Sequence, residues 1–201
     1  MTEEQATDTR DREYCERLVR LQGSKWKTLL HVQAPYRWNL RRLEPGFTLE
    51  VGCGIGRNLA HLDGNAVGVD TNPYVVAVAR QAGYRAFTPE EFAATEWNRA
   101  GAFDSLLLAH VAEHMRRDQL VELLRRYLPQ LRSGGRLILI TPQEAGFRTD
   151  STHVELMDLH RLRGVCDELG LLPVRDFSFP FPRVFGRVFA YNEFVSVSRK
   201  P

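Results

Sequence analysis

The chain is poor in cysteine, with three among 201 residues, at positions 15, 53 and 166, and no C-x-x-C pair. Odd in number and far apart, Cys15, Cys53 and Cys166 argue against a disulfide framework or a cysteine zinc site and for free thiols in a reducing cytoplasm. An excess of one charge is lacking too. Twenty-seven Lys and Arg against 25 Asp and Glu leave a formal charge of +2, too little to argue for a nucleic-acid partner. The pairs Arg41-Arg42, Arg116-Arg117 and Arg125-Arg126 are scattered, as on solvated helix faces. No apolar run approaches the length of a membrane span. The N-terminus is polar and acidic, without the apolar segment of a secretory signal. Internal repeats and low-complexity segments are absent as well. What remains is the composition of a soluble globular protein, long enough for one domain with a proper core.

The stretch around which the rest is organised runs from Thr48 to Leu62. Phe47 to Val51 reads as a short buried strand in which Glu50 is the only charge. Gly52, Gly54 and Gly56 follow at alternate positions, and a helical apolar pattern then passes through Leu59 and Leu62. A strand, a glycine turn and a helix start make a nucleotide-type site, because the backbone can approach a ligand and the helix start offers free N–H groups. The spacing is E-x-G-x-G-x-G rather than the dinucleotide pattern G-x-G-x-x-G, and no phosphate-loop lysine follows. A carboxylate just before the glycines suits an ammonium group better than a phosphate. Asp70 ends the next apolar run, Ala66 to Asp70, where an acid can take both hydroxyls of a ribose. Together these features fit S-adenosylmethionine better than NAD.

Along the chain, residues 11 to 43 read as one or two amphipathic helices. A break is expected at Gly23-Ser24 and another interruption at Pro35, with a restart near Tyr36. Asn72-Pro73 starts a helix that runs towards Gly83, and Tyr84 to Phe87 is a third strand. Phe103 to Ala109, apolar on both faces, reads as a central parallel strand. A helix from about Asp118 to Leu131, stopped by Ser133-Gly134-Gly135, leads to a fifth strand over Arg136 to Thr141. Residues 143 to 153 form a polar loop and about Glu155 to Leu169 a helix. Leu171 to Phe177 and Val188 to Ser198 close the sheet. The intervening segment, with Pro180 and Pro182, is too proline-rich for sheet interior.

Glu50 to Gly56, Gly68-Val-Asp70, Phe103 to His114 and Leu131 to Leu137 resemble, in order and spacing, the successive motifs of class I S-adenosylmethionine-dependent methyltransferases. The resemblance covers roughly residues 45 to 142. It implies an α/β, Rossmann-like, doubly wound seven-stranded sheet, mostly parallel with an antiparallel last strand. An N-terminal helical lid over residues 1 to 43 would precede a methyltransferase domain over residues 44 to 201. S-adenosyl-L-methionine is the implied cofactor. The Gly52, Cys53, Gly54 and Gly56 backbone would cradle its methionine part and Glu50 would orient its amino group. Asp70, with Thr71 beside it, would bind the ribose, while Ala109, His110 and Val111 would edge the sulfur. Arg37, just before the first strand, is expected to pair with the cofactor carboxylate. Where many relatives place an acid after the third strand, this chain has Thr88. Thr88, Glu90 or backbone groups would then meet the adenine. Cys53 is read as a small residue tolerated beside the cofactor, not a nucleophile.

Methyl transfer from a sulfonium is an in-line displacement, so the protein mainly aligns the reactants and removes a proton where the acceptor needs it. His110 and His153 are the candidate bases. In ubiquinone-pathway phenol methyltransferases and small-RNA 2′-O-methyltransferases, a Glu-x-x-Glu-His at this place contributes acid and metal functions. Here His110 stands at the first glutamate. Glu113, His114 and His153 offer few oxygens for a hard ion, and no metal is expected. The dense Phe179, Phe181, Phe185, Phe189 and Tyr191 suggest either a hairpin core or an apolar acceptor pocket. The sequence therefore reads as a cytoplasmic methyltransferase, monomeric or homodimeric, acting on an oxygen nucleophile of a small molecule. Two alternatives stand beside it, an RNA 2′-O-methyltransferase and a catalytically silent cofactor-binding subunit.

Overall fold

The computed structural model describes residues 26–201, with side chains from residue 33 onward. The expected helix before residue 26 and its break at Gly23-Ser24 lie outside the described residues. The first described element is helix α1, Trp26–Arg41. It continues through Pro35 without the expected interruption. A proline inside a helix costs about 3 kcal/mol locally, and packing at the far end of α1 offsets part of it. There Leu40 and Leu43 are buried against the sheet.

The remaining elements alternate as the periodicity predicts. They are β1 (Thr48–Val51), α2 (Arg57–His61), β2 (Ala66–Val69), α3 (Pro73–Gln81), β3 (Ala86–Phe87), α4 (Pro89–Ala93) and β4 (Phe103–Ala109). Then come α5 (Arg117–Tyr127), β5 (Leu131–Pro142), α6 (Glu144–Phe147), α7 (Leu159–Glu168), β6 (Leu172–Phe179) and β7 (Glu193–Arg199). The seven strands form one sheet in the order β3-β2-β1-β4-β5-β7-β6. β1 to β5 pair in parallel, and β7 runs antiparallel to both of its neighbours. The seven-stranded, mostly parallel expectation holds, including its antiparallel last strand.

Alternation along the central strands divides the core into two layers. Leu106, Leu108, Leu137 and Leu139 face the layer that contains α5 and α7, with Leu120, Leu124, Leu162 and Val165. Leu107, Ala109, Ile138 and Ile140 face the other layer, with Leu40, Leu59, Val76 and Ala79. Each fully buried leucine of this kind contributes about 1.5–3 kcal/mol.

Several boundaries differ from the sequence expectation. α5 ends at Tyr127, and a 3-10 turn over Leu128–Gln130 follows, because Pro129 cannot donate to a continuing helix. β5 begins at Leu131, earlier than expected, since Leu131 already pairs with Phe103 before a register shift. α7 starts only at Leu159, where the Asp158 side chain accepts from the Arg161 N–H as an N-cap. β7 starts at Glu193 rather than Val188, and Arg183–Arg187 form a 3-10 turn.

Candidate active site

The glycine loop joins β1 to α2 at the carboxyl ends of the strands. Gly52 has φ +79, and a Cβ there would lie 2.3 Å from Val111 Cγ2, so only glycine lets β1 turn under the end of β4. Gly54, at φ +52, faces open space, and its N–H donates to Asp70 Oδ2 at 2.8 Å. Asp70 Oδ1 accepts from the Asn72 N–H at 2.9 Å. Burial raises the Asp70 pKa, and these two backbone donors pull it back. Two bonds leave a carboxylate further acceptor capacity, which is what a ribose diol needs. Thr71, next to it, is exposed.

Glu50 sits in β1 with 1% of its surface exposed. Its Oε1 accepts from Asn58 Nδ2 at 2.7 Å, while its Oε2 is buried with no hydrogen-bond partner. Burial pushes the carboxyl up to about 8, although Asn58 and the nearby Arg57 work the other way. A buried carboxylate oxygen left unpaired beside an open glycine loop fits a ligand with an ammonium group. Asn58 was not legible as a site residue; its only signal was its place one turn into the helix after the loop.

Cys53 is buried over β2, where a Cβ on Gly68 would come within 2.6 Å of its sulfur. Burial and the nearby Glu50 and Asp70 hold its thiol well above the usual range. Such a thiol is a poor nucleophile.

At the end of β4, Ala109 is buried and His110 adopts φ +59. This left-handed turn aims the imidazole between two acids. Nε2 lies 2.8 Å from Glu193 Oε1 and Nδ1 lies 3.3 Å from Glu113 Oε1. Burial disfavours charge on the ring, but Glu113 and Glu193 outweigh it and raise the pKa to about 9. At neutral pH His110 is an imidazolium whose Nε2–H bonds to Glu193, while its Nδ1 makes an ion pair with Glu113, whose carboxylate has no hydrogen bond among the described residues. Glu193, 83 residues away in sequence, gave no sign of this partnership.

His114 and His153 stack edge to face with ring centroids 4.9 Å apart. His114 Nδ1 faces the carbonyl of Thr152 at 3.3 Å and its hydroxyl at 3.2 Å. His153 Nδ1 lies 2.7 Å from the Phe147 carbonyl, which it can reach only as a donor. That tautomer leaves His153 Nε2 unprotonated. Glu113 is fully buried, and ligand atoms of Glu113, His114 and His153 lie within 4.8 Å of one another. The set has the donors for one cation. It also has the imidazolium of His110 beside it as a counter-charge for Glu113.

The remaining expected residues fall around this centre. Val111, half-buried, packs over Gly52. Thr88 caps α4, accepting from the Glu91 N–H at 3.3 Å, while Glu91 Oε2 accepts from the Thr88 N–H at 2.8 Å. Its hydroxyl oxygen is thus already engaged at the third strand's end. Arg37 is exposed on α1, and its charge reaches His61 at the far end of α2. Arg57, at the first turn of α2, acts on both Glu50 and Tyr36, which places it nearer the loop. Sequence reading passed over Arg57.

An aromatic wall stands beside Glu193. Tyr36 meets Phe179 edge to face at 5.7 Å and donates from its hydroxyl to the Tyr191 carbonyl at 2.6 Å. Buried Gln143 ties this segment down, its Nε2 donating to Ser178 Oγ and the Glu193 carbonyl, both at 2.9 Å. Its Oε1 accepts from Asn192 Nδ2 at 3.1 Å. Asn192 Oδ1 in turn accepts from the Phe181 N–H at 2.9 Å.

Comparison with known proteins agrees with this geometry. Residues 49–139 match the model of a methyltransferase domain family. No curated protein matches the chain. Among solved structures, a S-adenosylmethionine-dependent methyltransferase from Archaeoglobus fulgidus superposes with a TM-score of 0.68 at 18% identity, covering 93% of this chain and 99% of that one. A TehB-like methyltransferase from Corynebacterium glutamicum gives 0.65 at 17%, covering 95% and 100%. The magnesium protoporphyrin IX methyltransferase of Synechocystis, with bound S-adenosylhomocysteine, gives 0.64 at 14%, covering 96% and 97%. At such identities the structures speak for the fold, while the family model covers the loop, Asp70 and the whole of β4. The match over residues 49–139, which holds the loop and Asp70, gives this chain a methyltransferase domain with the fold of S-adenosylmethionine-dependent methyltransferases.

Proposed function

We propose that this protein transfers a methyl group from S-adenosylmethionine to an oxygen of a small apolar or aromatic acceptor, without a metal. When bound, the cofactor supplies an already activated methyl group, so the chain's own work is to bind, orient and keep water out. Glu50 Oε2 would accept from the ammonium group, with Arg57 or Arg37 pairing the carboxylate. Asp70 would hold the ribose, and the open face of Gly54 leaves room for close approach. Thr88, Glu90 or the backbone at the end of β3 would meet the adenine.

The observation that carries the acceptor reading is the aromatic wall of Tyr36 and Phe179 beside the His110–Glu193 pair. It offers apolar surface where an acceptor would lie. The magnesium protoporphyrin IX methyltransferase, similar in fold, acts on a large flat small molecule. Of the two histidines, His153 is the better proton acceptor, since its Nε2 has no hydrogen-bond partner among the described residues while His110 is held as a cation between Glu193 and Glu113. His110 then acts as a fixed positive charge that balances Glu113 and Glu193. A dication at Glu113 would have to compete with that imidazolium, which is the reason for assigning no metal. The helical extension, residues 1 to 43, would form a lid over the mouth of the domain formed by residues 44 to 201.

The test is a screen of small hydroxylated acceptors with methyl-labelled cofactor. Label should pass to an oxygen, at a rate unchanged by chelator and reduced about 10²–10⁴-fold in His153→Ala. Transfer only to RNA, or loss of turnover on chelation, would overturn the reading.

A further inference from the structure

The proposed methyl-transfer site uses Tyr36 and Phe179 but does not account for the outer part of the aromatic and basic face they belong to, which is shared by α1, the end of β6 and the segment that follows. Its rings form one continuous run. Trp38 and Tyr36 pack on Phe179 at 6.3 and 5.7 Å. Tyr36 bonds to the backbone of Tyr191, Tyr191 packs on Phe189 at 5.7 Å, and Phe189 on Phe181 at 5.3 Å. Phe181 in turn packs on Phe185 at 5.6 Å. The outermost side chains are not covered by this packing. Trp38 is 57% exposed, Val184 65%, Val188 81% and Tyr191 65%. A hairpin core would bury these residues, and an acceptor pocket would turn them inward. Val184 and Val188 do neither.

The rim is positively charged. Phe177 lies between two guanidinium groups, with Arg42 at 4.9 Å and Arg175 at 4.7 Å from its ring. Arg42 also lies 4.5 Å over Trp38. Beyond the valines, Arg148 donates to the backbone carbonyl of Arg187 at 3.1 Å. Arg42, Arg148 and Arg175 have no carboxylate at ion-pair distance among the described residues, whereas Arg183 is paired with Glu144, on which the charge of Arg187 also acts. Burial and the charge of Arg175 lower the pKa of Arg42, as expected of two like charges without a counter-ion.

Apolar side chains that protrude one by one, with Trp and Tyr among them and unpaired cations at the rim, match the chemistry of a lipid–water boundary. A protein partner that adds a strand would use the backbone edge of β6, the outermost strand of the sheet, whereas the protruding apolar side chains lie beyond β6, in the segment from Val184 to Tyr191. We propose that this face docks the protein on a bilayer surface carrying anionic headgroups. Arg42, Arg175, Arg148 and Arg187 would meet the phosphates, and Val184, Phe185, Val188 and Tyr191 would enter the boundary of the acyl chains. The docking does not depend on which acceptor is methylated. If the methyl-transfer reading also holds, the mouth of the acceptor site would open towards the bilayer.

The test is flotation of the full chain with vesicles of phosphatidylcholine alone or mixed with phosphatidylglycerol. Wild type should float with the mixed vesicles and remain behind with the neutral ones. Arg42→Gln with Arg175→Gln should lower partitioning by about 25-fold, at about fivefold per guanidinium near an anionic surface. Val184→Asp with Val188→Asp should abolish it. These exposed substitutions should leave the thermal shift by S-adenosylhomocysteine unchanged, which separates loss of docking from loss of the fold or of cofactor binding. Equal flotation with neutral vesicles, or none with either, would overturn the proposal. So would a wild-type dimer in solution that the paired aspartates convert to a monomer, because the patch would then belong to a second copy.

Discussion

At the scale of single residues, the buried Glu50 and the half-buried His110 are ionisable groups with opposite consequences. Glu50 has a folded-state pKa raised to about 8 from 4.5. A raised carboxyl destabilises the free fold increasingly as pH climbs from the unfolded value to the folded one, and the penalty is constant above that. Glu50→Gln should therefore stabilise the free protein at neutral pH by an amount on the order of 1–3 kcal/mol. It should weaken S-adenosylhomocysteine by about 1.5–3 kcal/mol, the worth of a hydrogen bond to a charged group. Melting curves with and without ligand would show both changes. His110 is raised from 6.5 to about 9. Its ion pairs thus contribute fully below pH 6.5 and are lost as pH rises through about 9. An NMR titration should find this ring protonated at neutral pH, and Glu193→Gln should move its midpoint down. A midpoint near 6.5 in wild type would mean that the triad does not form. Glu50 and Asp70 were legible in the sequence because glycine spacing and strand ends mark them. Glu193 was not, since antiparallel pairing of β7 with β5 and β6 brings it to His110 and no local pattern encodes that register.

At the scale of elements, the sequence disclosed the strands and most helices through periodicity, and lost boundaries where a side chain or a distant strand decides them. Asp158 sets the start of α7 by capping, and Leu131 joins β5 because Phe103 lies beside it. Pro35 misled, because helix propensity says nothing of the packing that Leu40 and Leu43 supply afterwards. That packing has a consequence for α1. Its last turn is part of the core, so Leu40→Ala should cost about 2–5 kcal/mol by chemical denaturation. A loss under 1 kcal/mol would show that α1 is a detachable cover along its whole length. The segment after β6 is held by Gly186, where a Cβ would fall 1.7 Å from Gln143 Oε1. Gly186→Ala should displace Gln143 and its hydrogen bonds to Ser178, Glu193 and Asn192. Stability should fall by about 1–3 kcal/mol, and the acceptor KM should rise while cofactor affinity is kept. Equal damage to cofactor binding would place the aromatic wall on the other side of the site.

At the scale of the whole molecule, the strand order brings the ends of β1, β2 and β4 together, and with them the glycine loop, Asp70 and His110. The fold class followed from the sequence because a parallel sheet with both faces covered leaves unbroken apolar strands such as β4. The aromatic wall beside Glu193 did not follow, because it is assembled from α1, the end of β6 and the turn before β7, which lie far apart in the chain. The central claim is that this site is built for S-adenosylmethionine. The most direct measurement is thermal unfolding with S-adenosylhomocysteine or NAD, on wild type and Asp70→Ala. At a hundredfold excess over its Kd, a ligand that binds only the folded state adds about 2.7 kcal/mol, or about 5–10 °C for a chain of this size. S-adenosylhomocysteine should produce that shift in wild type and much less in Asp70→Ala, while NAD should produce none in either. An equal shift with NAD, or one with S-adenosylhomocysteine that survives the loss of Asp70, would contradict the account.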